Sequence, residues 1–433
     1  MIRTKKSIFE TRTTQIEYTE GQKEALTKVD AFLSSGDNFF LLAGYSGCGK
    51  TTIAENIANY KTATLLAPTN AAVNRLREKI ANKRLLFKTI HKQLFSKKDA
   101  FGKFIQDRGL ITRETYIVDE CSMIDKYVLE ILIKEATKKH CKLIFMGDSF
   151  QLEPVGEDPK IFLWEKSYPE HFKIENKYEL TEVKRYDGSL LKIATEIRIN
   201  KKPVFTNPEN SDLIQITKFN NQLATDIKNN NNYVVLTSTN SRRVLYNEKI
   251  RNYKYKLQES TKYILQDDVL VSVSNNNMYS NGELFINENA VLMYETKITL
   301  TEEKNFKEYD VLIYTINSEL VFFIPDLVEA SFHGQEIVEA VEEGRLILSY
   351  PIQSKIILKN KQDDSNYLNR DVVIATYGYA ISCHKAQGQE WNNVYIDAEW
   401  MMPVWDKAKW FYTAITRAKC KVQLVKNKYL LIK

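Results

Sequence analysis

Two short stretches of this sequence have the residue types and spacing that phosphate chemistry needs. The first is Gly44-Tyr45-Ser46-Gly47-Cys48-Gly49-Lys50-Thr51, a complete GxxxxGKT that follows an apolar run and precedes a helical stretch. Glycines let such a loop wrap so that backbone N–H groups face phosphate oxygens. Lys50 is placed to reach the outer phosphates and Thr51 to offer a hydroxyl to magnesium. The second is Asp119-Glu120, which ends the apolar run Tyr116-Ile117-Val118. Asp119 is expected to hold the metal through water, and Glu120 to polarise an attacking water. Nucleotide binding needs no such base, whereas hydrolysis does. The pair predicts a nucleoside triphosphatase, a class that includes kinases and switches as well as motors.

Both stretches sit at strand ends, so a parallel sheet covered by helices is needed to bring them together. Candidate strands are Asn38–Ala43, Thr62–Ala67, Thr115–Val118 and Lys142–Met146, separated by helical stretches at Thr51–Tyr60, Asn70–Asn82 and Lys126–Lys139. The last carries Val128, Leu129, Leu132, Ile133 and Ala136 on one face. A second alternating region starts near Thr181, with a helix expected at Ser189–Asn200 and strands at Asp212–Ile216 and Tyr233–Thr237. From Tyr263 to Arg370 the chain turns rich in β-branched and aromatic residues with turn signals, which reads as an inserted β domain. The alternation then resumes with strands at Asp371–Ala375, Asn393–Asp397 and Lys421–Val425 and a helix at Trp405–Lys419.

At 433 residues the chain should hold more than one core, and 43% hydrophobic with 27% charged residues fits a globular protein rather than disorder. No apolar run has the length of a membrane span and the start lacks a secretory core, so a cytoplasmic protein is expected. Five scattered cysteines support neither a disulfide framework nor a zinc site. Cys48 and Cys121 flank the phosphate chemistry and predict sensitivity to thiol reagents if exposed. A net charge of +6 says little, but its distribution says more. Between Leu85 and Glu114, seven basic residues stand against three acidic ones. That excess suits either a solvated surface insertion or a nucleic-acid contact.

Further motifs narrow the class. The second strand ends in Ala67-Pro68-Thr69-Asn70-Ala71-Ala72, and Thr89-Ile90-His91 follows. The fourth ends in Gly147-Asp148-Ser149-Phe150-Gln151-Leu152-Glu153-Pro154-Val155. Late in the chain stand Ser382-Cys383-His384-Lys385-Ala386-Gln387-Gly388-Gln389-Glu390-Trp391 and Tyr412-Thr413-Ala414-Ile415-Thr416-Arg417-Ala418-Lys419. In this order and spacing the sequence resembles the superfamily 1 helicases, and within them the RecD-like branch, superfamily 1B. GDSFQLEPV, HKAQGQEW and the short stretch between His91 and Thr115 distinguish it from the UvrD-like branch. Without the long amino-terminal domain of larger RecD-like proteins, it resembles the compact, Dda-like form.

The resemblance implies two RecA-like P-loop domains of α/β class. Residues 18–91 with 114–180 would form the first, and 181–262 with 371–433 the second, after an N-terminal extension at 1–17. It further implies a β-hairpin pin inserted at 92–113 and a β-barrel of Src-homology-3 type at 263–370. ATP and Mg2+ are the implied cofactors. Gln22 would read adenine, Ser46, Thr52 and Gly388 would complete the nucleotide contacts, and Gln151 would sense the γ-phosphate. Arg185 and Arg417 would reach that phosphate when the two domains close. Pro68, Thr69, Asn70, Thr89 and His91 on the first domain, with Asn240, Ser382, His384 and Lys385 on the second, match strand-contacting motifs. Phe101 and Phe104 would lie near the pin tip, either stacking on the last base pair or packing the hairpin onto its domain. A 5′ to 3′ DNA helicase is implied, acting as a monomer on single-stranded DNA and duplex junctions, with a single-strand-binding protein as a further partner. An RNA-directed motor, a non-unwinding translocase and a small-molecule kinase are the other readings.

Overall fold

The computed structural model describes residues 17–61, 63–98, 104–106, 108–152, 174–183, 189–202, 213–216, 221–273, 282–302, 305–316, 319–325, 373–398 and 407–425. The chain divides into two compact units, Met1–Ser96 with Phe104–Arg198, and Lys97–Lys103 with Ile199–Lys433.

In the first unit the apolar run Phe39–Gly44 forms β1, buried along nearly its whole length, as a parallel strand with both faces covered must be. The chain order is α1 (Glu20–Ser34), β1, α2 (Lys50–Lys61), β2 (Thr64–Ala67), α3 (Asn70–Lys79), β3 (Phe87–Thr89), α4 (Ile90–Leu94), β4 (Phe95–Lys98), β5 (Phe104–Gln106), β6 (Thr115–Val118), α5 (Lys126–Lys139), β7 (Lys142–Gly147), β8 (Asn176–Leu180) and α6 (Ser189–Asn200). Six strands make one sheet in the order β3-β2-β6-β7-β1-β8, with every pairing parallel. Alternate residues of each strand feed opposite cores. Phe40, Leu42 and Ile117 pack with α1, α2 and α3, whereas Leu41, Tyr116 and Phe145 pack with α4 and α5. β4 and β5 form a separate two-stranded hairpin inside the segment expected to hold a pin.

The second unit carries β9 (Leu213–Ile216), α7 (Asn221–Lys228), β10 (Tyr233–Thr237), α8 (Asn240–Tyr255), β11 (Val269–Ser272), β12 (Leu284–Ile286), β13 (Val291–Glu302), β14 (Asn305–Ile316), β15 (Glu319–Phe323), β16 (Val373–Tyr377), β17 (Ala380–Ser382), β18 (Trp391–Asp397), α9 (Lys407–Ile415) and β19 (Ala418–Val425). A five-stranded parallel sheet runs β17-β10-β18-β19-β9. A second sheet of six strands, β12-β11-β16-β15-β14-β13, is antiparallel except between β15 and β16. The strand expected at Asp371–Ala375 is described over Val373–Tyr377 and lies in the mixed sheet, between β11 and β15. The parallel sheet resumes only at β17.

One buried ion pair ties these two sheets together. Arg251 of α8 clasps both oxygens of Asp268, and donates to the carbonyls of Thr261 and Tyr263 at 2.6 and 2.7 Å. Its guanidinium also stacks over Tyr377 at 3.9 Å. Among the described residues, no helix is long and apolar enough to cross a membrane.

Candidate functional site

Because the first sheet is all parallel, its strands deliver their carboxyl ends to one edge, where α/β sheets bind ligands. In sheet order the edge carries Thr89 after β3, Pro68-Thr69-Asn70 after β2, Asp119-Glu120 after β6, Asp148 to Gln151 after β7 and the glycine loop after β1. Residues expected to meet nucleotide thus occupy three adjacent strand ends. Those expected to meet a nucleic-acid strand occupy the next two.

Local chemistry shapes the loop. At Gly44 a Cβ would come within 2.7 Å of Cys48 Sγ and 2.8 Å of Leu180 Cβ, so only glycine lets β1 pass β8 there. Gly47 and Gly49 have φ of 84° and 85°, in the left-handed region that glycine enters without strain. The Lys50 ammonium donates to the Gly44 and Tyr45 carbonyls at 2.7 and 2.9 Å, which centres its charge inside the curl. Thr51 and Thr52 lie in the first turn of α2 and are partly exposed. Ser46 is buried.

Gln22 is held on the loop itself. It forms a capping box with Thr19 at the head of α1, and its Nε2 donates to the Cys48 carbonyl at 2.9 Å across Gly49. Its amide braces the phosphate loop. Cys48 and Cys121 are both buried, and burial pushes both thiols above their ordinary pKa. The condition for thiol-reagent sensitivity is not met, because a desolvated thiolate is disfavoured.

The carboxylates meet a residue the sequence did not single out. Arg75, on α3, donates through Nη2 to Glu120 Oε1 and lies 3.6 Å from Asp119 Oδ2. Burial, then the neighbouring Glu120, raises the Asp119 pKa, while Arg75 and Lys50 oppose the rise. Asp119 Oδ2 has no hydrogen-bond partner among the described residues. Glu120 adopts φ 49°, which costs a non-glycine residue of order 1 kcal/mol. At the end of β7, the wholly buried Asp148 is paired with Arg198 of α6, which also meets Glu179 at 2.8 Å and stacks over the Tyr45 ring at 4.1 Å. Gln151 beside it is buried, its Oε1 without a hydrogen-bond partner among the described residues.

The strand-contact candidates of this unit begin helices. Thr69 and Thr89 cap α3 and α4, each accepting a backbone N–H at 3.1 Å, and His91 lies against Phe95 with ring centroids 5.5 Å apart. In the second unit, Asn240 opens α8 behind the cap Thr239, Ser382 ends β17, and Gly388 takes φ 80° in the turn that follows. Burial and the nearby Arg243 lower the Lys385 pKa to about 7, and burial lowers that of His384. Arg417 is wholly buried, donating to the Thr413 carbonyl at 3.1 Å and to Thr416 Oγ1 at 3.2 Å. It forms no ion pair among the described residues. Phe104 lies on β5 by its backbone. Arg185 and Phe101 fall outside the described residues.

Comparison with known proteins completes the assignment. Residues 17–218 match the model of an AAA domain, and residues 377–425 that of a UvrD-like helicase C-terminal domain. The RecBCD enzyme subunit RecD of Buchnera aphidicola (subsp. Schizaphis graminum) is 25% identical over 95% of this chain and 74% of its own length. ATP-dependent DNA helicase dda of Enterobacteria phage T4 is 29% identical over 42% of this chain and 43% of its own. The chain is a superfamily 1B helicase. The helicase is thus related to RecD and Dda, with a P-loop ATPase domain and a RecA-like fold. A solved Bacteroides Pif1 helicase overlays 97% of this chain and 95% of its own at 14% identity, with a TM-score of only 0.49.

Proposed function

We propose that this helicase hydrolyses ATP to move 5′ to 3′ along single-stranded DNA and to open the duplex ahead. The observation that carries the reading is the edge of the first sheet, where phosphate loop, acids and Gln151 sit on adjacent strand ends next to Pro68-Thr69-Asn70 and Thr89. Lys50 and the loop N–H groups bind the phosphates, and Glu120 takes the proton from the attacking water. The orphaned Asp119 oxygen and the Thr51 hydroxyl suit Mg2+, which keeps most of its ligands as water and substrate phosphate. When bound, that ion would neutralise phosphate charge.

Arg417 and Arg185 are the cations we assign to the γ-phosphate. A buried guanidinium whose partners among the described residues are a carbonyl and a hydroxyl, as at Arg417, is what an incoming anion would complete. Hydroxyl and amide donors at Thr69, Asn70, Thr89, Asn240 and Ser382, with His384 and Lys385, suit phosphates without reading sequence. The β4–β5 hairpin, with Phe101 and Phe104, acts as the pin, and the mixed sheet is the Src-homology-3-like insertion. The enzyme works as a monomer on single strands and duplex junctions.

Steady-state hydrolysis with and without oligothymidylate, followed by unwinding of 5′-tailed and 3′-tailed duplexes, tests this reading. Strong stimulation and opening of the 5′-tailed substrate are expected. Lys50→Ala should abolish hydrolysis while single-strand binding persists. Hydrolysis indifferent to DNA would overturn the motor, and unwinding from a 3′ tail alone would overturn the polarity.

A further inference from the structure

One oxygen of the base assigned above is already engaged. Glu120 Oε1 already accepts from the Arg75 guanidinium, which also faces Asp119 Oδ2 at 3.6 Å. All three side chains are largely withdrawn from solvent, at 16% exposure for Arg75, 5% for Asp119 and 7% for Glu120. In such surroundings a charge-assisted bond is strong and directional, and the oxygen it occupies is poorly placed to take a proton from water.

Where Arg75 comes from matters as much as what it holds. It projects from α3, whose cap Thr69 and first residue Asn70 are among the strand-contact candidates. Five residues of helix separate Asn70 from Arg75, about 7.5 Å along the axis, and a helix transmits displacement over that length as a rigid piece. The helix is lightly seated, burying Ala72, Val73 and Leu76. The strand leading into it is coupled to the acids as well, since the Leu66 carbonyl of β2 accepts the Asp119 N–H at 2.8 Å. One short segment, Leu66 to Arg75, therefore touches the acid pair at both ends, with the strand-contact residues between them.

We propose that Arg75 is a positioning residue that restrains Glu120 until a nucleic-acid strand engages the head of α3. Movement of that helix then draws the guanidinium off the carboxylate. Strand occupancy is thereby converted into hydrolysis, and idle turnover is suppressed. This rests on the reading of Glu120 as the base and of Pro68-Thr69-Asn70 as strand contacts.

The test is the ratio of stimulated to basal ATP hydrolysis, measured with the full chain and oligothymidylate. Arg75→Gln keeps a hydrogen-bonding side chain but removes the charge. Its DNA-independent rate should rise about tenfold while the stimulated rate stays level or falls, so that the ratio collapses by about tenfold. Arg75→Lys, a point charge without the fork, should restore part of the ratio. A proportional fall of both rates in Arg75→Gln, leaving the ratio intact, would overturn the restraint and make Arg75 a structural support. If Arg75→Gln fails to fold, Arg75→Lys decides: a wild-type ratio in that variant sinks the proposal. Absence of any stimulation in the wild-type chain would instead defeat the functional reading on which the inference stands.

Discussion

The arginines of the first unit's nucleotide edge already have their anions, whereas among the described residues Arg417 and Lys385 of the second unit's motifs have no carboxylate partner. Arg75 sits against Asp119 and Glu120, and Arg198 against Asp148 and Glu179. In the second unit Arg417 has, among the described residues, a carbonyl and a hydroxyl, and Lys385 has another cation, Arg243, nearby. Burying a charge is costly unless it is paired. A paired cation can be explained by the fold alone. A buried cation without a carboxylate is retained at a cost, and the cost is recovered if an anion arrives during the working cycle.

The contrast is broken most sharply at Arg417. If this guanidinium meets the γ-phosphate, Arg417→Ala should lower kcat by about 10³-fold or more, the range for arginines that stabilise phosphoryl transfer. Thermal stability should fall by the cavity its loss leaves, since the side chain is 1% exposed, but without the further penalty of a stranded carboxylate among the described residues. Hydrolysis assays beside a melting curve separate the two effects. Full activity in a folded Arg417→Ala protein would remove Arg417 from the reaction.

Arg198 should behave in the opposite way. Its removal leaves Asp148, at 0% exposure, without its counter-ion, and breaking a buried pair from one side costs about 3–5 kcal/mol. Arg198→Ala should therefore lower the denaturant midpoint strongly, and Asp148→Asn together with Arg198→Met should recover much of the loss. Recovery is the informative result. If the double variant is as unstable as the single one, packing over Tyr45 and Phe150, rather than charge, is what Arg198 supplies.

How much of this was legible in the residues follows the same division. The helix at Lys126–Lys139 and the strands around the phosphate loop are readable because their apolar periodicity matches their burial. α8 is hidden because its buried face includes Arg243, Asn247 and Arg251, polar residues whose burial only the tertiary contacts make tolerable. α7 and the short β3 are missed for lack of length. The stretch Asp371–Ala375 reads as a strand of the resumed α/β alternation, yet pairing, which composition does not encode, places the strand it leads to, β16, in the mixed sheet. At the site, GxxxxGKT and Asp-Glu declare themselves because each role demands a residue type. Arg75 does not, since arginines on helices are common. The only available signal is its place one and a half turns into the helix that follows Pro68-Thr69-Asn70.

The smallest expected effect concerns Lys385. Its pKa is pushed down to about 7, by burial first and by Arg243 second, so the ammonium is mostly charged at pH 6 and mostly neutral at pH 8. In the free protein the folded chain then holds fewer protons than the unfolded chain between about pH 7 and the ordinary lysine value of 10.5, and this group's contribution to stability rises with pH across that window. Strand binding has the opposite sign. A phosphate favours the ammonium, so single-strand affinity should fall as pH rises through 7, by up to about tenfold per pH unit for one coupled proton. Lys385→Arg keeps the charge throughout and should flatten this step, leaving the weaker one due to His384 at lower pH. Fluorescence anisotropy at fixed salt, from pH 6 to pH 8.5, measures it, since salt alone alters phosphate binding. An unchanged profile in Lys385→Arg would mean that this lysine does not meet the strand, and that its lowered pKa must be explained within the second unit.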